Sequence, residues 1–246
     1  MPYVLTVSPD FTPKHIAGWY IFNTWLQKQI DLAFHVELYN SFNKQREAII
    51  SNKIDLIYAN PYDAAMLVRE KGFKALVAPL AKADEAIIAC NAESKINTIE
   101  DLQPDLNIVT TDDPDVHLMG MMMLEPADLD KDNTNIEEVD GYVLVAKKLL
   151  QQNADIGFFL KDAYYDLSRL IRDDLKVLIS SEIFVIRHIL LAGPELQQYH
   201  QQLQSLLLNM KDDAKGASVL GAMGLNGWEK QTQEDTEFMI DLMDTL

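Results

Sequence analysis

The chain has 246 residues, enough for one large domain or two modest lobes, and at 48% hydrophobic and 24% charged it is composed like a globular protein. Its formal net charge of −17 and isoelectric point near 4.5 repel nucleic acid and anionic lipid, which excludes a nucleic-acid function. No apolar run is long enough to span a bilayer, which excludes membrane insertion.

The N-terminal Met-Pro-Tyr-Val-Leu-Thr-Val enters a strand directly, without a basic start, an apolar core or a small-residue cleavage site. As written the chain reads as cytoplasmic; as a processed or truncated form it reads as periplasmic. Strand-like and helix-like segments then alternate, the pattern of an α/β fold with mainly parallel sheets. Residues 3–8 read as a strand, 15–29 as a helix, 34–39 as a strand, 44–51 as a helix and 55–59 as a short apolar strand. Pro61 opens another helix at the position where its missing N–H costs nothing. In a second series, strands at 86–90, 107–110, 137–139, 155–159 and 176–179 alternate with helices at 98–102, 116–124, 143–152 and 163–172. Cys90, the single cysteine, lies in the apolar AIIAC run and reads as a buried strand residue. Met119 and Met121 to Met123 cover every face of their helix and read as packing. After a strand at 183–191, Gly193-Pro194 introduces a purely helical tail at 195–210, 217–223 and 233–246.

The two series echo each other. AIISNKIDLIYANPYDAAML around Asp55 and KLLQQNADIGFFLKDAYYDL around Asp155 each give a helix, a turn, an Asp-opened apolar strand, an aromatic near the strand end and a new helix. Generic α/β grammar produces such an echo, and so do two similar lobes. In open parallel sheets ligands sit outside the C-terminal strand ends.

At YANPYDAAMLVREKGF and TDDPDVHLMGMMMLEPADL the chain resembles the phosphate/phosphite/phosphonate-binding proteins of ABC transporters, members of the type II periplasmic-binding fold. The likeness runs from about Val4 through Gly227 and takes in the IDLIYANP junction, the NTIEDL helix and the GLNGW turn. It implies an α/β, two-lobed type II periplasmic-binding-protein fold with a ligand cleft between the lobes. Lobe one would be 1–80 plus 188–246 and lobe two 81–187, joined by two hinge strands near 79–84 and 183–188. It also implies a solute-binding protein that closes around a small oxyanion or organophosphonate ligand, without catalysis, cofactor or metal, and delivers it to an ABC permease. The alternative is a stand-alone cytoplasmic sensor on the same fold, acting on a regulator protein; an enzyme is a third reading. The sequence has no Gly-rich phosphate loop, no GxSxG and no paired Cys or HxxxH spacing to support the third.

Tyr58-Ala59-Asn60-Pro61 ends a strand and opens a helix, which aims first-turn N–H groups and a favourable dipole at an oxyanion. The resemblance places Tyr58 in the site with Asn60 as its polar neighbour; half-buried sheet packing is the plainer role for Tyr58. Thr111, Asp112, Asp113, Pro114, Asp115, Val116 and His117 repeat the device in lobe two. There the family places Ser and Thr hydroxyls at about Val116 and His117, which this chain lacks. A protonated His117 would supply the missing donor and charge; otherwise it is a solvated helix residue. Asp113 reads as the helix N-cap before Pro114, or as a ligand contact. A metal on Asp112, Asp113, Asp115 and His117 is set aside, because the Asp-Pro turn accounts for them and no metal-loop spacing is present.

Tyr142 and Asp162 open the last two helices of lobe two, where the resemblance implies polar groups lining the cleft; Asp162 either meets an amine or caps its helix. Arg187 and His188 stand among Val185, Ile186, Ile189 and Leu190, where a charge is paired or faces a cleft. Arg187 is assigned to anion contact or to an ion pair bridging the lobes. Ser8, Tyr39 and Phe42, at or just after lobe-one strand ends, complete the ligand-binding set. Tyr58 and Asn60 are expected to face the segment Thr111 to His117 across the cleft.

Overall fold

A computed structural model describes residues 2–10 and 13–245. The chain divides into two units, one of residues 1–83 and 186–245 and the other of residues 84–185, so the backbone crosses between them twice. Unit one begins with β1 (Tyr3–Val7), α1 (Ile16–Ile30), β2 (Phe34–Val36), α2 (Phe42–Ile50), β3 (Leu56–Ala59), α3 (Pro61–Arg69) and β4 (Lys74–Pro79). Unit two contains β5 (Ala86–Asn91), β6 (Leu106–Thr110), α4 (Pro114–Leu124), β7 (Thr134–Glu138) and α5 (Tyr142–Leu150). It continues with β8 (Ile156–Leu160), α6 (Lys161–Asp166), α7 (Arg169–Asp173) and β9 (Leu175–Ser180). The chain returns to unit one as β10 (Ile189–Ala192), α8 (His200–Leu208), α9 (Ala214–Ala222), β11 (Trp228–Lys230) and α10 (Gln233–Met243). No helix among the described residues is long and apolar enough to cross a membrane.

Unit one holds a six-stranded sheet ordered β11-β4-β10-β3-β1-β2, and unit two a five-stranded sheet ordered β7-β6-β8-β5-β9. In each, three strands run parallel, β2-β1-β3 and β7-β6-β8. The remaining pairings are antiparallel, which corrects the expectation of mainly parallel sheets. The Asp-opened strands of the repeat, β3 and β8, hold equivalent places. Each follows a helix and a left-handed residue, Asn52 (φ 53) or Gln152 (φ 55). Each is then tied to its neighbour by the aspartate: Asp55 Oδ2 accepts the Val4 N–H at 2.7 Å, and Asp155 Oδ2 accepts the Asn107 N–H at 2.9 Å.

The core of unit one gathers Leu5, Phe22, Leu26, Leu56 and Leu190 with Trp19, Trp25 and Trp228. Gly18 lets α1 close onto α9, since a Cβ there would lie 2.3 Å from the Ala222 carbonyl oxygen. The core of unit two is built on Ile87, Val109, Leu149 and Phe159, with Cys90 fully buried in the same unit. Burying such side chains stabilises each unit by roughly 1.5–3 kcal/mol per large residue, before the entropy of ordering the chain is subtracted.

Several elements depart from the sequence pattern for identifiable reasons. β4 and β11 are strands where the pattern predicts none; β11 has only three residues, too few for a periodic signal, and interrupts a tail that reads as purely helical. The helix expected over 163–172 breaks at Leu167, and the Ser168 hydroxyl caps a new start by accepting the Ile171 N–H. The strand expected over 183–191 is confined to β10, and neither 80–85 nor 181–188 is strand, so the crossings lack the two hinge strands. There the Glu85 carboxylate, in place of a neighbouring strand, accepts the N–H groups of Ile183 and Phe184 and the Ser181 hydroxyl.

Candidate functional site

In unit one the polar groups collect where β1 and β3 end. Gln45 of α2 is fully buried and donates to Thr6 Oγ1 and the Val7 carbonyl, fastening the helix to the end of β1. The chain then passes through Ser8, whose N–H bonds the Tyr58 carbonyl, to Asp10. Asp10 Oδ2 lies 2.9 Å from His188 Nε2, with both side chains over nine-tenths buried. Burial alone would raise the Asp10 carboxyl, but the His188 charge and its hydrogen bond hold it below the usual carboxylate range. The His188 ring stacks on Tyr58 at 4.9 Å and 20°, and Tyr58 is backed by Trp19 at 4.8 Å and Trp228 at 6.1 Å. Tyr58 therefore joins sheet packing to a polar edge, combining the two roles the sequence offers for it.

Beside this, α3 starts at Asn60, whose Oδ1 accepts the Asp63 N–H at 2.7 Å. Asp63, 2% exposed, is pushed up by burial while the Arg46 guanidinium opposes the shift. Arg46 Nε is 2.5 Å from Asp63 Oδ1, and the guanidinium lies over the rings of Tyr62 (4.9 Å) and Phe42 (5.6 Å). Arg46 Nη2 is buried without a hydrogen bond among the described residues.

In unit two the end of β6 delivers Thr110 and Thr111, both buried, to the start of α4. Thr110 Oγ1 is buried without a hydrogen-bond partner among the described residues. Asp113 is the N-cap of α4 and Pro114 its first residue, as the turn chemistry predicts. Asp113 Oδ1 accepts the N–H groups of Asp115 and Val116, and its Oδ2 accepts the Tyr142 hydroxyl at 2.8 Å. Tyr142 opens α5 and stacks on Phe159 at 6.1 Å.

A family model described as ABC transporter, phosphonate, periplasmic substrate-binding protein matches residues 5–236. The chain belongs to that family. Its members are periplasmic substrate-binding components rather than enzymes. No curated protein sequence matches the chain significantly. Among solved structures, PhnD1 from Prochlorococcus marinus in complex with methylphosphonate aligns with TM-score 0.83 at 12% identity, covering 99% of this chain and 98% of that one. A binding-protein component of an ABC phosphonate transporter from Pseudomonas aeruginosa aligns at 0.77 and 14%, covering 99% and 88%. The periplasmic aliphatic sulphonate binding protein SsuA from Escherichia coli aligns at 0.69 and 14%, covering 100% and 92%. These likenesses establish the type II periplasmic-binding fold.

Within this phosphonate-binding-family member the expected site residues meet different fates. Ser8, Tyr58, Asn60 and His188 gather at the strand ends of unit one with Phe42 nearby, and Thr111, Asp113, Val116 and Tyr142 gather in unit two. Val116 is fully buried in the core. Tyr39 is half-buried just beyond β2, and Asp162 is exposed in the first turn of α6. No side-chain hydrogen bond caps that helix at Leu160. One expected charge requires correction, and a second has a partner of its own. Burial holds the His117 imidazole below its usual range, with Glu138 opposing, so the protonated form is disfavoured at neutral pH. Arg187 pairs with Glu229 of β11, an ion pair within unit one. Sequence reasoning missed Asp10, Arg46 and Asp63. The last two carried a signal: Arg46 follows Phe42 by one helical turn, and Asp63 stands three residues after the Asn60 cap.

Proposed function

We propose that this protein is the substrate-capture component of an ABC importer. It works in the periplasm, binds a small organic phosphonate or related oxyacid without turning it over, and hands it to a membrane permease. The family match over residues 5–236 carries this reading. The strand-end chemistry supports it: the Tyr58–His188 stack offers an apolar face with a polar edge, Asp10 and Asn60 Oδ1 beside it are hydrogen-bonded, and Ser8 Oγ and Asn60 Nδ2 are buried without a hydrogen-bond partner among the described residues. Small-molecule sites combine such walls with a few fixed polar groups. Ligand contacts are assigned to Ser8, Tyr58, Asn60 and His188 in unit one and to Thr111 and Tyr142 in unit two.

The test is a thermal-shift panel of phosphate, phosphite, methylphosphonate, 2-aminoethylphosphonate, phosphonate monoesters and alkanesulfonates. A ligand at about a hundred times its dissociation constant stabilises the native state by about 2.7 kcal/mol, so a true ligand gives an unmistakable shift. Trp19 and Trp228 flank Tyr58, so the same ligand should change tryptophan fluorescence. A panel in which no member shifts melting or fluorescence overturns the reading.

A further inference from the structure

The start of α4 has no backbone donor left for a ligand. A helix leaves its first N–H groups without intrahelical partners, which is what makes its N-terminus attract anions. Here the Asp113 N–H donates to Thr111 Oγ1 at 3.4 Å, and Pro114 has no N–H. The Asp115 and Val116 N–H groups both donate to Asp113 Oδ1, at 3.1 and 3.3 Å. The next, from His117, is already in the helical ladder to the Asp113 carbonyl at 3.1 Å. The second carboxylate oxygen of Asp113 accepts the Tyr142 hydroxyl. Asp113 is 3% exposed and Asp115 is 2% exposed, so both carboxylates are buried.

We propose that Asp113 is a specificity-determining residue: its carboxylate is an internal anion that occupies the N-terminus of α4 and closes that turn to the phosphonate group of a ligand. The inference rests on the solute-binding reading given above. An oxyanion held at this turn would need first-turn N–H groups and the positive end of the dipole. Both are already engaged by Asp113. A phosphonate dianion would also approach the Asp113 and Asp115 carboxylates in a weakly screened setting, where like charges repel strongly. Unit two therefore favours ligand groups that accept a carboxylate and a phenol as neighbours. Small ligands whose only polar feature is the dianion, such as methylphosphonate, are discriminated against.

Calorimetric titration of the full chain with methylphosphonate, comparing wild type with Asp113→Ser and Asp113→Asn, tests this. Serine caps one N–H, releases the other and adds a hydroxyl donor; asparagine retains an acceptor for both N–H groups, removes the charge and puts an NH2 donor where the Tyr142 hydroxyl was accepted. Wild type should bind methylphosphonate no better than at millimolar concentration. Asp113→Ser should bind it at least about tenfold more tightly and Asp113→Asn somewhat less so, as expected when like charge is removed. A damaged fold does not create affinity for one chosen anion, so a gain cannot come from structural loss. If Asp113→Ser fails to fold, Asp113→Asn decides alone, and no gain in it overturns the proposal. Micromolar binding by wild type, or no gain in either folded variant, also overturns it. The solute-binding reading survives those results if wild type binds some member of the panel, and falls only if it binds none.

Discussion

The two units carry the same three parallel strands and meet the same electrostatic problem at the end of the first one, but solve it differently. Asp10 follows β1 as Asp113 follows β6, each three residues past the last strand residue. In unit one the buried carboxylate is matched by a side-chain cation, His188, brought in by the returning chain. In unit two it turns back on its own helix and is matched by backbone N–H groups and a phenol. One residue sharpens the contrast: Phe42 and Tyr142 open equivalent helices one hundred residues apart, and only the second has the hydroxyl that Asp113 accepts. A repeat preserves backbone topology while the partners of its charges are rewritten, and the charge partners decide what a site will bind.

The contrast makes a prediction with independent probes, because Trp19, Trp25 and Trp228 lie in unit one and the single cysteine, Cys90, is buried in unit two. Removing one member of a buried ion pair leaves the other uncompensated, so His188→Ala should destabilise unit one by about 3 kcal/mol. Tyr142→Phe removes one hydrogen bond to a charged group, worth about 1.5 kcal/mol. Urea unfolding followed by tryptophan fluorescence should show the first loss, and thiol labelling of Cys90 the second. Equal losses, or a larger one for Tyr142→Phe, would mean that Asp10 does not depend on its cation as described.

The sequence made most of the repeat legible, since Asp-opened apolar strands and Pro-opened helices leave strong local marks at Asp55, Asp155, Pro61 and Pro114. The N-cap at Asp113 was legible for the same reason: cap and acceptor are two or three residues apart. What was not legible depends on distant partners. Nothing near Arg187 announces that Glu229 meets it, and nothing near Asp10 announces His188. The short strand β11 lacks a period to read, and its pairing with β4 is a tertiary fact. His117 misled because neighbouring carboxylates favour a charged imidazole in sequence, whereas in the fold burial dominates.

A smaller effect tests whether the repeat is energetically symmetric. Asp55 and Asp155 make the same bond to the neighbouring strand, but Asp55 is half-buried and Asp155 is exposed. Water can replace the lost acceptor at the exposed site and much less well at the other. Asp55→Ala should therefore cost about 1–2 kcal/mol and Asp155→Ala about 0.5 kcal/mol, as read from the same two probes. Reversal of that order would show that burial does not set the strength of the bond.

The smallest effect concerns acid. His117 is held below its usual value of 6.5 chiefly by burial, so between its native value and 6.5 the unfolded chain binds more protons than the folded one. Its contribution to stability is complete above pH 6.5 and is lost as pH falls through that window. Asp10 behaves alike lower on the scale: it is depressed below 3.8, so its contribution persists above that value and goes only in stronger acid. Asp63, raised by burial, works oppositely, and acid relieves its cost. His200 of α8 is also lowered chiefly by burial, so both units should begin to loosen as pH falls below 6.5; in unit two this is read as a rise in Cys90 labelling relative to the unfolded chain at the same pH, which removes the intrinsic loss of thiolate. His117→Gln should flatten that early rise. Glu138→Gln should enhance it, because the Glu138 charge is what partly restores the imidazolium. An unchanged acid profile for Cys90 labelling in both variants would remove His117 from the balance and leave the acid response of unit two to its carboxylates.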